Sequence, residues 1–256
     1  MLNQFASFCE GGYGCTSVFF INLFNRPDWD YKLEGTPDKD HWYLLTSNHI
    51  SYLDIILILN WARNHIPAPK FFVKKELLWT PFIGQAAWVL EMPFMNRYTK
   101  KQIEKKPELK GKDIETTRKY CERYKETPTT VINFLEGTRV TDGKKIRRKS
   151  PYQHLLPPKA GGVAFTLASM GELFSYTIEV TLQYPENKGH VMLDMLQGKL
   201  KRIVMHVKLV PLEQGMIGDY FNDPEFKASF QAKINDKWAE KDQLISELLE
   251  NQKSSK

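Results

Sequence analysis

Apolar residues in this chain come in short runs, separated by turn formers and by stretches of helical spacing. HWYLLTSN (41–48) is one such run and ends in turn formers, which predicts a buried strand. SYLDIILILNWARNH (51–65) follows it and predicts a helix that Pro67 and Pro69 stop. KFFVKK (70–75) and MPFMNR (92–97) predict a second and a third strand. In KDIETTRKYCERYKE (112–126), Ile114, Thr117, Cys121 and Tyr124 are spaced for one helical face. TTVINFLEG (129–137) is rich in β-formers, and a long polar loop is expected over 138–154. GGVAFTLASMG (161–171) predicts a short apolar helix. FSYTIEVTLQYP (174–185) and KRIVMHVKLVP (201–211) carry the two longest strand patterns, and 224–250 predicts a helix charged on one face.

Strands alternating with helices predict an α/β fold with a mostly parallel central sheet flanked by helices. No Pro/Gly/Ser-rich linker divides the chain, so residues 31–256 read as a single α/β domain behind an N-terminal segment, 1–30. No run reaches the roughly 18 apolar residues that a spanning helix needs. The nearest, LLWTPFIGQAAWVLEMPFM (77–95), is broken by Pro81, Gly84 and Glu91, and reads as buried or as dipping into one leaflet. YGCTSVFFINLF (13–24) is also short; it reads as an amphipathic helix lying on a membrane or as the tail of a longer segment.

Composition narrows the partners. The 256 residues are 42% hydrophobic, enough for a substantial core, and 36 basic against 30 acidic residues leave a net charge of +6. The excess sits in KKQIEKK (100–106), KKIRRK (144–149) and KLKR (199–202). These clusters are either solvated surface or contacts for anionic partners such as a phospholipid surface or a phosphorylated ligand. They lack interleaved exposed aromatics, so no nucleic acid partner is expected. Cys9, Cys15 and Cys121 form no paired framework and point to a reducing compartment. The six histidines are scattered with no H-x-H or H-E-x-x-H cluster, so no metal is expected, and a metal-dependent phosphoesterase is a weak rival.

The candidate chemistry lies in four blocks. SNHISYLD (47–54) sets His49 five positions before Asp54. On one regular helix they would stand about 140° apart and could not meet. They can meet if His49 lies in the strand-to-helix turn and Asp54 in the helix's first turn, with Ser51 as N-cap. Two readings stay open on these residues. One is a capped helix with an ordinary turn histidine. The other is a dyad in which Asp54 fixes the imidazole tautomer while the second ring nitrogen takes a proton from a substrate hydroxyl. No G-x-S-x-G elbow is present, so an attacking substrate alcohol fits better than an enzyme nucleophile. In NFLEGTR (133–139), Gly137 allows close backbone approach, Thr138 offers a hydroxyl and Arg139 a bidentate fork for phosphate. Glu136 could orient Arg139 or bind a ligand hydroxyl; the plainer reading is a strand-end turn with a surface ion pair. KKELLWTPFIG…MPFMNR carries Lys74 and Arg97 around an apolar middle, which also reads as core packing. LLPPKAGGVAF (155–165) reads as an extended approach and a tight turn into a helix.

In this order the blocks resemble the glycerolipid acyltransferase family, typified by 1-acyl-glycerol-3-phosphate acyltransferases. The family motif N-H-x-S-x-x-D is matched by Asn48, His49, Ser51 and Asp54, and F-P-E-G-T-R by FLEGTR. K-x-x-L…P-x-x-G…R is matched by Lys74, Leu77, Pro81, Gly84 and Arg97, and a later proline block through Pro157 or Pro158. ETTRKYCERY and DMLQGKL are similar to a bacterial inner-membrane branch. The resemblance implies that His49, oriented by Asp54, deprotonates the free hydroxyl of 1-acyl-glycerol-3-phosphate or a related lysophospholipid. That acceptor then attacks an acyl thioester, either acyl-CoA or acyl-carrier protein. Glu136, Gly137, Thr138 and Arg139, assisted by Lys74 and Arg97, are implied to hold the phosphate end. No cofactor is implied, and the location is membrane-associated, on an anionic surface at the cytoplasmic face of a bacterial inner membrane. An alternative is a non-catalytic phospholipid-binding protein of the same fold. Two departures stand out: Leu135 replaces the family's usual proline, and the N-terminal transmembrane segment common in that branch is not found here.

Overall fold

The computed structural model describes residues 2–80, 83–90, 92, 94–95, 122–187 and 189–254. Its centre is a six-stranded sheet. In chain order the strands are β1 (Asp28–Glu34), β2 (Trp42–Ser47), β3 (Pro69–Phe71), β6 (Thr130–Phe134), β7 (Phe174–Gln183) and β8 (Arg202–Pro211). Across the sheet they run β1-β8-β7-β2-β6-β3. Every pairing is parallel except β7 with β8. β4 (Val73–Lys74) and β5 (Phe94–Met95) form a separate parallel pair.

The inner strands are apolar without alternation because helices cover both faces. Neighbouring Leu44 and Leu45 on β2 enter opposite cores, as do Val131 and Ile132 on β6. One core is closed by α1 (Leu2–Asn25) and α2 (Leu53–His65), through Val18, Ile21, Leu53, Leu57 and Ile58. Two later helices close the other core: Ala160–Met170, with Val163 and Leu167, and Pro224–Ser254, with Phe230, Ile234 and Trp238.

The strands expected at 41–48, 129–137, 174–185 and 201–211, and the helices at 51–65, 161–171 and 224–250, appear within a few residues of their predicted bounds. β1 was not expected, although Trp29, Tyr31 and Leu33 alternate with charged residues in DWDYKLE: the strand is short, mostly exposed and lies at the sheet's edge. The strand expected at 70–75 is divided between two sheets at Phe72. The loop expected at 138–154 contains α4 (Asp142–Arg147), whose N-cap Thr141 accepts from the Lys144 N–H; the short α3 (Ile83–Val89) precedes it in the chain. The helix expected at 112–126 lies outside the described residues up to position 121, and of the strand expected at 92–97 only β5 is described. Among the described residues no helix is long and apolar enough to cross a membrane.

α1 and α2 run antiparallel in close contact. A Cβ on Gly14 would stand 2.7 Å from the Asn60 backbone nitrogen, so only glycine fits there. At this junction Glu10 is 6% exposed, and neither of its carboxylate oxygens has a hydrogen-bond partner among the described residues. Burial pushes its pKa up to about 7, against the opposing charge of Lys70. Between pH 4.5 and about 7 the folded state therefore binds more protons here than the unfolded chain, and stability falls as pH rises through that window. Glu10→Gln removes this titration. Its stability relative to the native protein should improve by about 3 kcal/mol between pH 4 and pH 8 in urea unfolding. An equal difference at both pH values would contradict this.

Candidate functional site

The site forms where β2 ends. Asn48 extends the ladder with its side chain: its Nδ2 donates to the Leu182 carbonyl at 2.9 Å, and the Leu182 N–H donates to its Oδ1 at 2.9 Å. The chain is thereby held against β7 while it turns out of the sheet. His49 is the first residue past that anchor, at the carboxyl end of a parallel strand, where α/β proteins place their ligands.

The next residues start α2. Ser51 Oγ accepts the Leu53 N–H at 3.3 Å. Asp54 Oδ2 reaches back to accept the Ser51 N–H at 2.9 Å and the Ile50 N–H at 2.6 Å, the reciprocal half of a capping box. The same oxygen lies 2.9 Å from His49 Nδ1. Asp54 Oδ1 accepts the Tyr184 hydroxyl at 2.7 Å. Four donors thus compensate the burial of a carboxylate with no exposed surface. The cap and the His49 contact share one carboxylate and do not compete. Burial and the adjacent Asp54 charge hold the Tyr184 phenol well above its usual pKa, so it remains a donor.

His49 stacks on Phe134 with ring centroids 4.2 Å apart. Its Nε2 makes no hydrogen bond among the described residues, and 12% of its side chain stays open. Phe134 begins the FLEGTR loop. The Gly137 N–H donates to the Phe134 carbonyl at 2.9 Å, closing a β-turn with Gly137 at φ 63°, a left-handed value that glycine adopts without strain. Leu135 occupies the second position of this turn, where proline is also favoured, and its side chain packs into the core. Replacing the family proline with leucine therefore leaves the turn intact.

Glu136 faces inward rather than toward Arg139, with which it forms no ion pair. Its Oε2 accepts the His49 N–H at 2.8 Å and its Oε1 the Leu156 N–H at 3.0 Å. Burial raises its pKa to about 8, opposed by these two donors. The Val140 N–H donates to the His49 carbonyl at 2.8 Å, and the Arg139 guanidinium lies 4.2 Å over the Tyr52 ring. Lys144 Nζ donates to Thr138 Oγ1 and to the Arg139 carbonyl, both at 2.8 Å, and Arg148 donates to the Glu136 carbonyl at 3.2 Å. Burial, and then the charges of Arg139, Arg148 and Arg147, hold the Lys144 pKa below its usual value.

The structure thus brings His49, Asp54, Glu136, Gly137, Thr138 and Arg139 together from positions 87 residues apart in the chain. Lys74 is placed by its backbone on β4, opposite Met95. Arg97 lies outside the described residues. Tyr184, Tyr52, Lys144 and Arg148 were missed as contributors. KKIRRK was visible as a basic cluster, but nothing in a strand-end tyrosine marks it as Asp54's partner. Among the described residues no group of three His, Cys, Asp or Glu side chains is placed to hold a metal ion.

Comparison with known proteins gives a consistent result. The profile of the family described as Acyltransferase matches residues 30–178, more than half of the chain. Human 1-acyl-sn-glycerol-3-phosphate acyltransferase delta is 29% identical over 152 residues, which cover 56% of this chain and 38% of that protein. The chain thus matches well under half the length of such curated relatives. An uncharacterized acyltransferase of Schizosaccharomyces pombe is 23% identical over 229 residues, covering 81% of this chain and 60% of that one. The crystal structure of the 1-acyl-sn-glycerophosphate acyltransferase PlsC from Thermotoga maritima superposes with a TM-score of 0.53 at 19% identity, over 93% of this chain and 80% of that one, and shares its fold. With the N-H-x-S-x-x-D and E-G-T-R loops meeting at one strand end, this chain belongs to the glycerolipid acyltransferase family.

Proposed function

We propose that the chain transfers an acyl group from an acyl thioester to the free hydroxyl of a lysophospholipid, with 1-acyl-glycerol-3-phosphate as the type of acceptor. The observation that carries this reading is the His49 ring, held at Nδ1 by Asp54, with its side chain partly open and no hydrogen bond to Nε2 among the described residues. With Nδ1–H donated to the carboxylate, Nε2 presents its lone pair outward. It takes the acceptor's hydroxyl proton as that oxygen attacks the thioester carbonyl. The tetrahedral intermediate then collapses, the C–S bond breaks, and the proton on Nε2 passes to the leaving thiolate. Asp54 stabilises the imidazolium formed between these steps.

The loop beside His49 supplies the anchor for the acceptor. Burial, and then the like charges of Arg139, Arg148 and Arg147, hold the Lys144 pKa down, and an acceptor phosphate would neutralise this cluster of like charges. Arg139 is a planar fork lying flat on Tyr52, pre-ordered for bidentate contact. Release from CoA and release from a carrier protein use the same chemistry at the thioester, so the donor is either one. On α1, Tyr13, Phe19, Phe20, Leu23 and Phe24 are exposed, and this apolar row is where we place contact with the membrane that holds the acceptor.

Incubation with 1-acyl-glycerol-3-phosphate and acyl thioesters, with products read by mass spectrometry, tests the reading. His49→Ala should fold normally and lose acyl transfer by at least about a thousandfold; full turnover in the folded variant overturns the role of His49. In the same assay Arg139→Lys should raise the KM for the phosphorylated acceptor with a smaller change in kcat. An unchanged KM removes Arg139 from the acceptor site. Exchanging Phe20 and Phe24 for serine should weaken co-sedimentation with anionic vesicles; unchanged binding moves the membrane contact elsewhere.

A further inference from the structure

Away from His49, α1, α2 and β1 enclose a groove of about 300 Å³, large enough for a small ligand. Its floor is apolar and closed: Leu57 and Trp61 of α2 are 1% and 5% exposed. Trp61 follows Asp54 by seven residues on α2, which puts the groove about 10 Å along that helix from the His49–Asp54 pair. Its lining residues take no part in the site described above.

The walls are aromatic, and hydrogen bonds hold them in place. Trp29 and Tyr31, alternate residues of β1, share one face of the strand and are 36% and 47% exposed. The Trp29 indole donates to Asn22 Oδ1 on α1 at 2.9 Å, and the Trp61 indole donates to the Tyr31 hydroxyl at 2.8 Å. His65 stacks on Trp61 with ring centroids 4.9 Å apart, and its Nδ1 donates to the Trp61 carbonyl at 2.7 Å. Rings fixed in this way lose little freedom when a ligand rests on them.

The groups left over select the ligand. Among the described residues no Lys, Arg, Asp or Glu lines the groove, in a chain of which 26% is charged. An anion would meet no lysine or arginine there, and an ammonium no carboxylate. The lining offers amides instead. Asn22 and Tyr31 accept the two indoles through their oxygens, which leaves Asn22 Nδ2 and the Tyr31 hydroxyl hydrogen to donate. The side chains of Asn60 and Asn64 form no hydrogen bond among the described residues, and each carries a donor and an acceptor. Uncharged donors and acceptors side by side match hydroxyl groups, which give and take in the same way. The negative faces of the aromatic rings match the weakly positive C–H face of a saturated ring. A quaternary ammonium would use the rings alone and leave the amides without partners.

We propose that this groove binds a neutral polyhydroxylated ring, a hexose or a cyclitol. Val18 and Asn22 bring α1 into the groove, and Phe19, Phe20 and Leu23 beside them belong to the row placed against the membrane. The ring is therefore met either free or as the head group of a lipid in that membrane. The inference does not depend on acyl transfer.

In 15N-labelled protein the indole N–H signals of Trp29 and Trp61 report on the groove. Titration with glucose, galactose and myo-inositol should shift both signals, and at least one of the three should saturate with a Kd of roughly 1 mM or a few times that. Asn64→Ala, at an exposed position, should weaken this binding about tenfold. Phosphatidylcholine vesicles carrying a galactosyl diacylglycerol should sediment more protein than phosphatidylcholine alone, with the excess lost in Asn64→Ala, where a lipid is the source. Free-sugar binding without that excess assigns the groove to a soluble sugar. Unmoved indole signals with all three sugars, together with no excess on the glycolipid vesicles, overturn the proposal. A response to phosphocholine alone overturns it as well, since the rings would then serve a cation. Sugar binding that is unchanged in both Asn64→Ala and Trp29→Ala places the ring elsewhere and contradicts it too.

Discussion

A carboxylate with no exposed surface stands at the start of α2, and the ends of three segments meet on it. Asp54 accepts the Ile50 and Ser51 N–H groups, the His49 ring and the Tyr184 hydroxyl. The first two are main-chain donors that a helix start leaves unpaired, so local folding requires an acceptor at this place. Once it is there, the same oxygen fixes the orientation of His49 without further cost in chain order. Tyr184 carries the constraint across to the end of β7. Helix start, ring orientation and strand alignment are therefore one arrangement, and a change in any of them disturbs the others.

Around that carboxylate the site is made largely of main chain held by side chains. Asn48 continues a strand ladder, Glu136 takes one N–H from each of two loops, and Lys144 and Arg148 fasten the E-G-T-R turn through its carbonyls. Asn48 and Glu136, buried and used this way, cannot also face a ligand. Arg139 on Tyr52, the open part of His49 and the remaining donors of Lys144 and Arg148 are left for one. A second layer follows on the far side of the sheet, where the C-terminal helix (Pro224–Ser254) supplies Trp238 and Asp242 to the segment behind Glu136 and Lys241 to β7.

Much of this was legible in the residues. WYLL, TVINF and the long patterns at 174–185 and 201–211 are apolar on both faces or strongly β-forming, and they became the inner strands and their neighbours. S-x-x-D announced the start of α2, and the impossibility of a shared helix face placed His49 in the turn before it. What escaped notice was short. β1 alternates Trp29, Tyr31 and Leu33 with four charged residues, a pattern outweighed by its charge, and α4 is too short for a periodic pattern. Glu136 looked like a surface acid because sequence does not show which main-chain N–H groups will be buried without partners. Tyr184 lies 130 residues from Asp54, and only the parallel register of β2 with β7 brings them together.

The tautomer of His49 tests the central interaction most directly. In 15N-labelled protein at neutral pH, we expect its Nδ1 to carry the proton, with a downfield N–H signal, and its Nε2 to show the shift of an unprotonated imidazole nitrogen. In folded Asp54→Asn that pattern should be lost. A His49 ring protonated at Nε2, or averaging between tautomers like free imidazole while Asp54 is present, would contradict it.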